Sequence, residues 1–294
     1  MLLSVENLKV SFRLDGKISV PVRGVSFSIP EGGRVALVGE SGCGKSLTAL
    51  ALGGLVDRAE ITGGIIGRPR ISYVFQNPMQ SLNPVIRVGK QIAEGQRTKA
   101  GGRKPSSSVD GLLTSVGLPP ETARKYPCQL SGGQQQRVMI AMALAAEPKL
   151  LIADEPTTAL DVTTQKEVLD LIDRIADERG MAVLLITHNL GLVSEHCRHV
   201  NVMYAGEIVE RGEVGTVLSA PRHPYTRGLL AAVPRLDAPK DAPLHDIPGT
   251  VPPPTDWPPG CAFHPRCPYA TGRCSGGEYR GICRFVEEGS GKNS

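Results

Sequence analysis

The octapeptide Gly39-Glu40-Ser41-Gly42-Cys43-Gly44-Lys45-Ser46 constrains this 294-residue chain more than any other segment. It fits the spacing G-x-x-x-x-G-K-[ST] and stands between an apolar run, residues 35–38, and a helix-forming segment. Glycines at those places let backbone N–H groups wrap phosphate oxygens, and the positive end of the following helix adds to the attraction. Lys45 is expected to reach the β- and γ-phosphates, and the Ser46 hydroxyl to ligate Mg²⁺. The segment therefore calls for a strand–loop–helix unit and predicts binding of a nucleoside triphosphate. Cys43 reads as a small filler, because such a loop works through its backbone.

The rest of the chain agrees with that unit. Residues 150–153 and 183–186 repeat the wholly apolar run of 35–38, and 71–75 is of the same type apart from Ser72, as strands covered on both faces are. Between two of them, residues 163–179 place Val168, Leu171, Ile172, Ile175 and Ala176 on one helical face and stop at Gly180. Buried strands interleaved with helices predict an α/β core around a mainly parallel sheet. The first 30 residues alternate instead (Val20/Val22, then Val25/Phe27/Ile29), which predicts half-buried antiparallel strands. From Pro78 to about residue 146 the signals turn helical, near 87–97 and 109–116, around a polar loop at 99–108. That stretch is expected to be a helical subdomain inserted into the core. The domain reading is 1–220 for the core and 221–294 for an extension that holds 13 of the 24 prolines.

Charge and hydropathy exclude several classes. Lys+Arg 33 against Asp+Glu 29 gives +4, too mild to make nucleic acid the main partner. No stretch approaches the ~20 apolar residues of a membrane-spanning helix. The first residues lack a basic start, a long apolar run and a cleavage site, so no secretory signal is read there. The expected location is the cytoplasm, or peripherally the cytoplasmic face of a membrane. No N-K-x-D motif reads a guanine base, which disfavours a GTPase.

Two further motifs sit downstream. The run 150–153 ends in Asp154 and Glu155. Asp154 is placed to complete a Mg²⁺ shell, and Glu155 to polarise a water for attack on the γ-phosphate. Ser131-Gly132-Gly133-Gln134, 23 positions before Asp154, is a turn opening a helix, a second anion site of helix-N-terminus type or a capping turn.

In this order the motifs resemble the nucleotide-binding subunit of ATP-binding cassette (ABC) transporters, from the first strands to about Arg211. The resemblance implies that two cassettes close head-to-tail on two ATP molecules. Residues 39–47, Leu47 included, would bind one ATP in one subunit, and Ser131, Gly132, Gly133 and Gln134 of the facing subunit would cap its γ-phosphate. It also implies that Gln76 touches Mg²⁺ and the water, that Asp161 belongs to a loop crossing the dimer interface, that His188 contacts the γ-phosphate, and that Phe12 stacks on adenine. Only 31 positions separate Lys45 from Gln76, so the antiparallel strands usual around residues 59–70 are expected to be trimmed.

The segments Arg222–Leu230, 247–249 and 260–268, with 75–84, resemble the oligopeptide/dipeptide importer branch, to which nickel and metal-chelate importers also belong. The implied partners are a second ATPase subunit, expected to be a different chain, two transmembrane permease subunits and an extracytoplasmic substrate-binding protein. Cys261, Cys267, Cys274 and Cys283 are spaced C-x5-C-x6-C-x8-C, without the C-x2-C pair of a zinc ribbon. Four thiolates suit a [4Fe–4S] cluster, which some members of the branch carry there; zinc, free thiols and disulfides stay open. The expected function is ATP hydrolysis that powers import of di- or oligopeptides. Import of nickel or a metal chelate is one alternative, and a non-hydrolysing, redox-sensing regulatory subunit is another.

Overall fold

The computed structural model describes residues 1–14, 16–97, 107–158, 160–233, 246–276 and 283. In chain order the strands are β1 (Leu3–Leu14), β2 (Lys17–Ile29), β3 (Arg34–Val38), β4 (Glu60–Ile66), β5 (Ile71–Val74), β6 (Leu150–Asp154), β7 (Ala182–Thr187), β8 (His199–Tyr204) and β9 (Glu207–Glu213). The helices are α1 (Lys45–Leu52), α2 (Pro78–Ser81), α3 (Val88–Arg97), α4 (Val109–Ser115), α5 (Gly132–Ala145), α6 (Val162–Arg179), α7 (Leu190–His196), α8 (Val214–Ser219), α9 (Pro224–Ala231) and α10 (Gly272–Ser275). They fall into two compact units.

The first unit is built on Gly67–Leu185, with Met1–Leu2 and Ile29–Arg34. Its strands run in the order β5-β6-β7. β5 and β6 pair in parallel from Ile71↔Leu150 to Val74↔Ala153. The apolar residues of β6 and β7 are buried throughout, as continuous runs covered on both faces should be. The helical stretch is α2 to α5. There α5 is buried on most of its circumference, from Val138 to Ala145. α3 crosses α5 closely at Gly95, where a Cβ would stand 2.9 Å from the Met142 carbonyl oxygen. Most of the polar loop read at 99–108 lies outside the described residues; Ser108 at its end caps α4. Helix α6 buries Val168, Leu171, Ile172, Ile175 and Ala176, and stops where Gly180 turns left-handed at φ 57°.

The second unit gathers Leu3–Ser28, Val35–Ile66 and Ile186–Ser294. β3 pairs in parallel with β8, and β8 antiparallel with β9. A separate antiparallel sheet has the order β2-β1-β4. Residues 59–70, expected to have lost strands, keep β4, paired antiparallel with β1 across a register shift between Glu6 and Lys9. Gly63 makes that close pairing possible, since its φ is 102° and a Cβ would meet the Asn7 carbonyl at 2.4 Å.

The proline-rich tail is held by apolar packing and backbone hydrogen bonds. Tyr225, Ile247, Ala262 and Phe263 enter the same apolar cluster as Ala36, Val38, Val200, Val202 and Tyr204. The Trp257 indole N–H donates to the Val20 carbonyl at 2.9 Å, and the Val20 N–H to the Pro254 carbonyl at 3.0 Å. Burial of a few large side chains supplies the hold, each worth about 2 kcal/mol.

Candidate functional site

In the second unit, β3 delivers the chain to the phosphate loop. Only glycine fits at position 39, because a Cβ there would lie 2.1 Å from the Met203 carbonyl oxygen. Gly44, left-handed at φ 100°, stands at the start of α1, and no side chain caps that helix. The N–H groups of its first turn are thus left to a ligand or water. The Lys45 ammonium folds back over the loop, donating to the carbonyls of Gly39 at 2.8 Å and Glu40 at 2.9 Å. Ser41, Gly42 and Ser46 are exposed, and Leu47 is half-buried. Cys43 is buried, and burial pushes its thiol up against the opposing effect of Lys45, which suits a filler. The same unit holds Phe12, half-buried on β1, and His188, exposed just after β7. Behind His188, the Asn189 side chain accepts the Gly191 N–H at 2.9 Å and so opens α7.

In the first unit, the parallel register sets Val74 opposite Ala153, so Gln76 and Glu155 emerge two residues later from the same sheet edge. They touch: Gln76 Nε2 donates to Glu155 Oε2 at 3.0 Å. The Thr158 hydroxyl donates to the same oxygen at 3.1 Å. Glu155 has φ 46°, a left-handed conformation that costs about 1–2 kcal/mol in a residue with a Cβ. Asp154, one residue back, is half-buried at the end of β6.

The unit also brings the Ser-Gly-Gly turn beside the start of α6. Ser131 and Gln134 form a reciprocal cap on α5: the Ser131 hydroxyl accepts the Gln134 N–H at 3.3 Å, and the Gln134 side chain accepts the Ser131 N–H at 3.1 Å. Ser131 and Gly132 remain exposed. A Cβ on Gly133 would stand 2.9 Å from the Thr164 methyl group, which leaves little there but glycine. Asp161 caps α6, and the backbone and hydroxyl of Thr164 hold its carboxyl below the usual range.

Family models match this chain twice: the ABC transporter model over residues 22–158, and the oligopeptide/dipeptide transporter C-terminal region over 209–274. The dipeptide transport ATP-binding protein DppD of Escherichia coli is 45% identical, covering 93% of this chain and 90% of its own length. The chain belongs to the ABC transporter ATP-binding family. Among solved structures, this ABC ATPase is similar to the cassette MJ0796 in a post-hydrolysis dimer bound to ADP and Pi, with TM-score 0.64 and 26% identity over 72% of this chain and 99% of that one. It is also similar to cbiO1 of Clostridium perfringens, with TM-score 0.63 and 26% identity over 74% and 91%. ATP with Mg²⁺ fits the loop, whose glycines leave room for an anion and whose lysine and serine stand at its rim.

The cassette's four tail cysteines are half-buried, and none of its seven cysteines forms a disulfide. The Cys261 N–H donates to the Cys274 carbonyl at 2.9 Å. Burial first, then the neighbouring Cys283, Cys274 and Cys267, push the Cys261 thiol up to about 11. Among the described residues, no group of three or more His, Cys, Asp or Glu side chains is placed to hold a metal ion.

Sequence reasoning missed two residues at this site. Tyr225 and Arg266, both from the tail, bond to Glu40 of the phosphate loop. Both lay in segments marked by resemblance, but nothing in their spacing pointed to the loop.

Proposed function

We propose that this ABC ATPase hydrolyses ATP to drive an importer of di- and oligopeptides. The observation that carries the reading is the frame of the phosphate loop, with Gly39 and Gly44 at places closed to any side chain and the Lys45 ammonium laid across the loop carbonyls. The peptide cargo is supported by the relatedness to DppD.

In this reading residues 39–47 bind the phosphates, with Lys45 on the β- and γ-oxygens. Ser46, Gln76 and Asp154 hold Mg²⁺, and Phe12 stacks on adenine. Glu155 takes the proton of the attacking water while His188 holds the γ-phosphate. Ser131, Gly132, Gly133 and Gln134 serve the ATP of a facing cassette, with Asp161 at that interface. Such catalysis is mostly positioning and charge stabilisation, so separation of the cassettes switches it off.

Residues 1–220 are the catalytic part and 221–294 the extension. The cassette works at the cytoplasmic face of the membrane with a second ATPase subunit, two permease subunits and a substrate-binding protein. No helix among the described residues is long and apolar enough to cross a membrane itself. Cys261, Cys267, Cys274 and Cys283 are read, by the resemblance to the importer branch, as the thiolates that would hold a [4Fe–4S] cluster. Such a cluster would add a structural staple to the apolar packing of the tail.

Glu155→Gln tests the catalytic reading. It is expected to bind MgATP as the wild type does and to turn over about 100-fold more slowly or worse; near-normal hydrolysis would sink the assignment. Anaerobic purification with iron and acid-labile sulfide analysis tests the tail, the expected result being about four of each per chain, lost in Cys267→Ser.

A further inference from the structure

One buried cation joins the tail to the phosphate loop across 226 positions of sequence. Arg266 ends a 3-10 turn (His264–Arg266) and donates its backbone N–H to the Phe263 carbonyl at 3.0 Å. Its side chain is 4% exposed. Nη1 donates to Glu40 Oε2 at 2.8 Å and Nη2 to Glu40 Oε1 at 3.0 Å, fork against fork. The other three N–H groups go to the Tyr204 hydroxyl at 3.4 Å, the Ile247 carbonyl at 3.0 Å and the Pro248 carbonyl at 2.8 Å. All five donors are thereby used. Burial opposes the charge of this guanidinium, but the bonds to Glu40 and Tyr204 outweigh it and hold its pKa above the usual range.

The tail also grips the backbone of Glu40, whose N–H donates to the Tyr225 hydroxyl at 2.8 Å. Tyr225 is fully buried, its ring centroid 4.6 Å from that of Tyr204 and 5.4 Å from that of Phe263. Glu40 is therefore fixed at carboxylate and amide by residues outside the loop. Its own carbonyl is one of the two on which the Lys45 ammonium rests. A carboxylate left unpaired beside a polyphosphate site would repel the ligand, and the Arg266 fork cancels that charge.

We infer that Arg266 and Tyr225 are positioning residues for triphosphate binding: acting through Glu40, they make the tail part of the loop's frame and set its affinity for MgATP. This rests on the reading of residues 39–47 as the phosphate site. A contact of this kind acts as an outer shell does around a metal, where loss of one partner costs about 10-fold in affinity.

The test is titration of the full-length chain with a fluorescent ATP analogue and Mg²⁺ and its urea unfolding, together with turnover at saturating ATP in the assembled transporter. Arg266→Lys keeps the charge but cannot make the fork, and is expected to bind about 10-fold more weakly while turnover at saturation stays within about two-fold. Tyr225→Phe keeps the ring, removes only the hydroxyl, and is expected to weaken binding in the same direction. If the lysine variant does not fold, the phenylalanine variant decides alone. Glu40→Gln combined with Arg266→Lys should bind no worse than the weaker single variant, because both act through one contact. Unchanged nucleotide affinity in Arg266→Lys and Tyr225→Phe, alongside a lowered urea midpoint, would overturn the inference and leave the contact as scaffolding. Lys45→Ala separates the two levels. Loss of binding there with both tail variants unaffected would refute this inference alone, whereas wild-type binding by Lys45→Ala would remove the phosphate-site reading beneath it.

Discussion

Two helix starts in this protein look alike in sequence and are satisfied differently. α1 follows Gly-Cys-Gly and receives no side-chain cap. α5 opens on Gly132-Gly133 directly after Ser131, and Ser131 and Gln134 cap it reciprocally. An uncapped start keeps its first N–H groups for a ligand, while a capped one spends a donor on its own chain. The difference teaches that α1 is built to bind within one chain. α5 stands ordered by its own cap, with Ser131 and Gly132 exposed, the arrangement that the proposed role toward a facing cassette requires.

The comparison breaks most sharply at Gly44. Gly44→Ala should cost about 100-fold in MgATP affinity, since φ 100° and a Pro21 carbonyl 2.6 Å from the new Cβ force the loop to move. Unchanged nucleotide titration would mean that the start of α1 is not the binding frame.

A third helix start sharpens the contrast. α9 is capped by buried His223, whose Nδ1 accepts the Tyr225 N–H at 3.1 Å. Burial lowers its pKa to about 4, so the folded chain prefers the neutral ring. The unfolded chain takes up the proton near 6.5. Stability from this group is therefore full above pH 6.5 and is lost as pH falls towards 4, about 2 kcal/mol of it by pH 5. Urea midpoints at pH 7 and pH 5 measure this, and His223→Asn, a cap that does not titrate, should flatten the difference.

The smallest effect belongs to α5. Ser131→Ala should cost about 1 kcal/mol in unfolding free energy through the lost cap, and leave nucleotide titration of the single chain unchanged. A fall in that affinity would show that the two starts do not divide the work as described.

The local parts of the site were legible from residue order. The apolar runs became β3 and β6 because side chains buried on both faces leave no polar alternative. The glycines of the phosphate loop were readable because their backbone conformations are closed to other residues. Glu155 was readable at the end of an apolar run and Gln76 only through the family resemblance, while their contact, across 79 positions, depends on the β5–β6 register. The tail was read by resemblance and its cysteines, while its hold on the unit comes from Ile247, Ala262 and Phe263 in a shared core.

The sequence by itself determined the phosphate loop and the acidic strand end, because each is set by stereochemistry within a few residues. Only the tertiary structure decided that Arg266 and Tyr225 meet Glu40, across 226 and 185 positions. No local rule brings such residues together. Burial of Tyr204, Tyr225 and Phe263 in one cluster does, and the polar groups carried in with them must then find partners where the core leaves them.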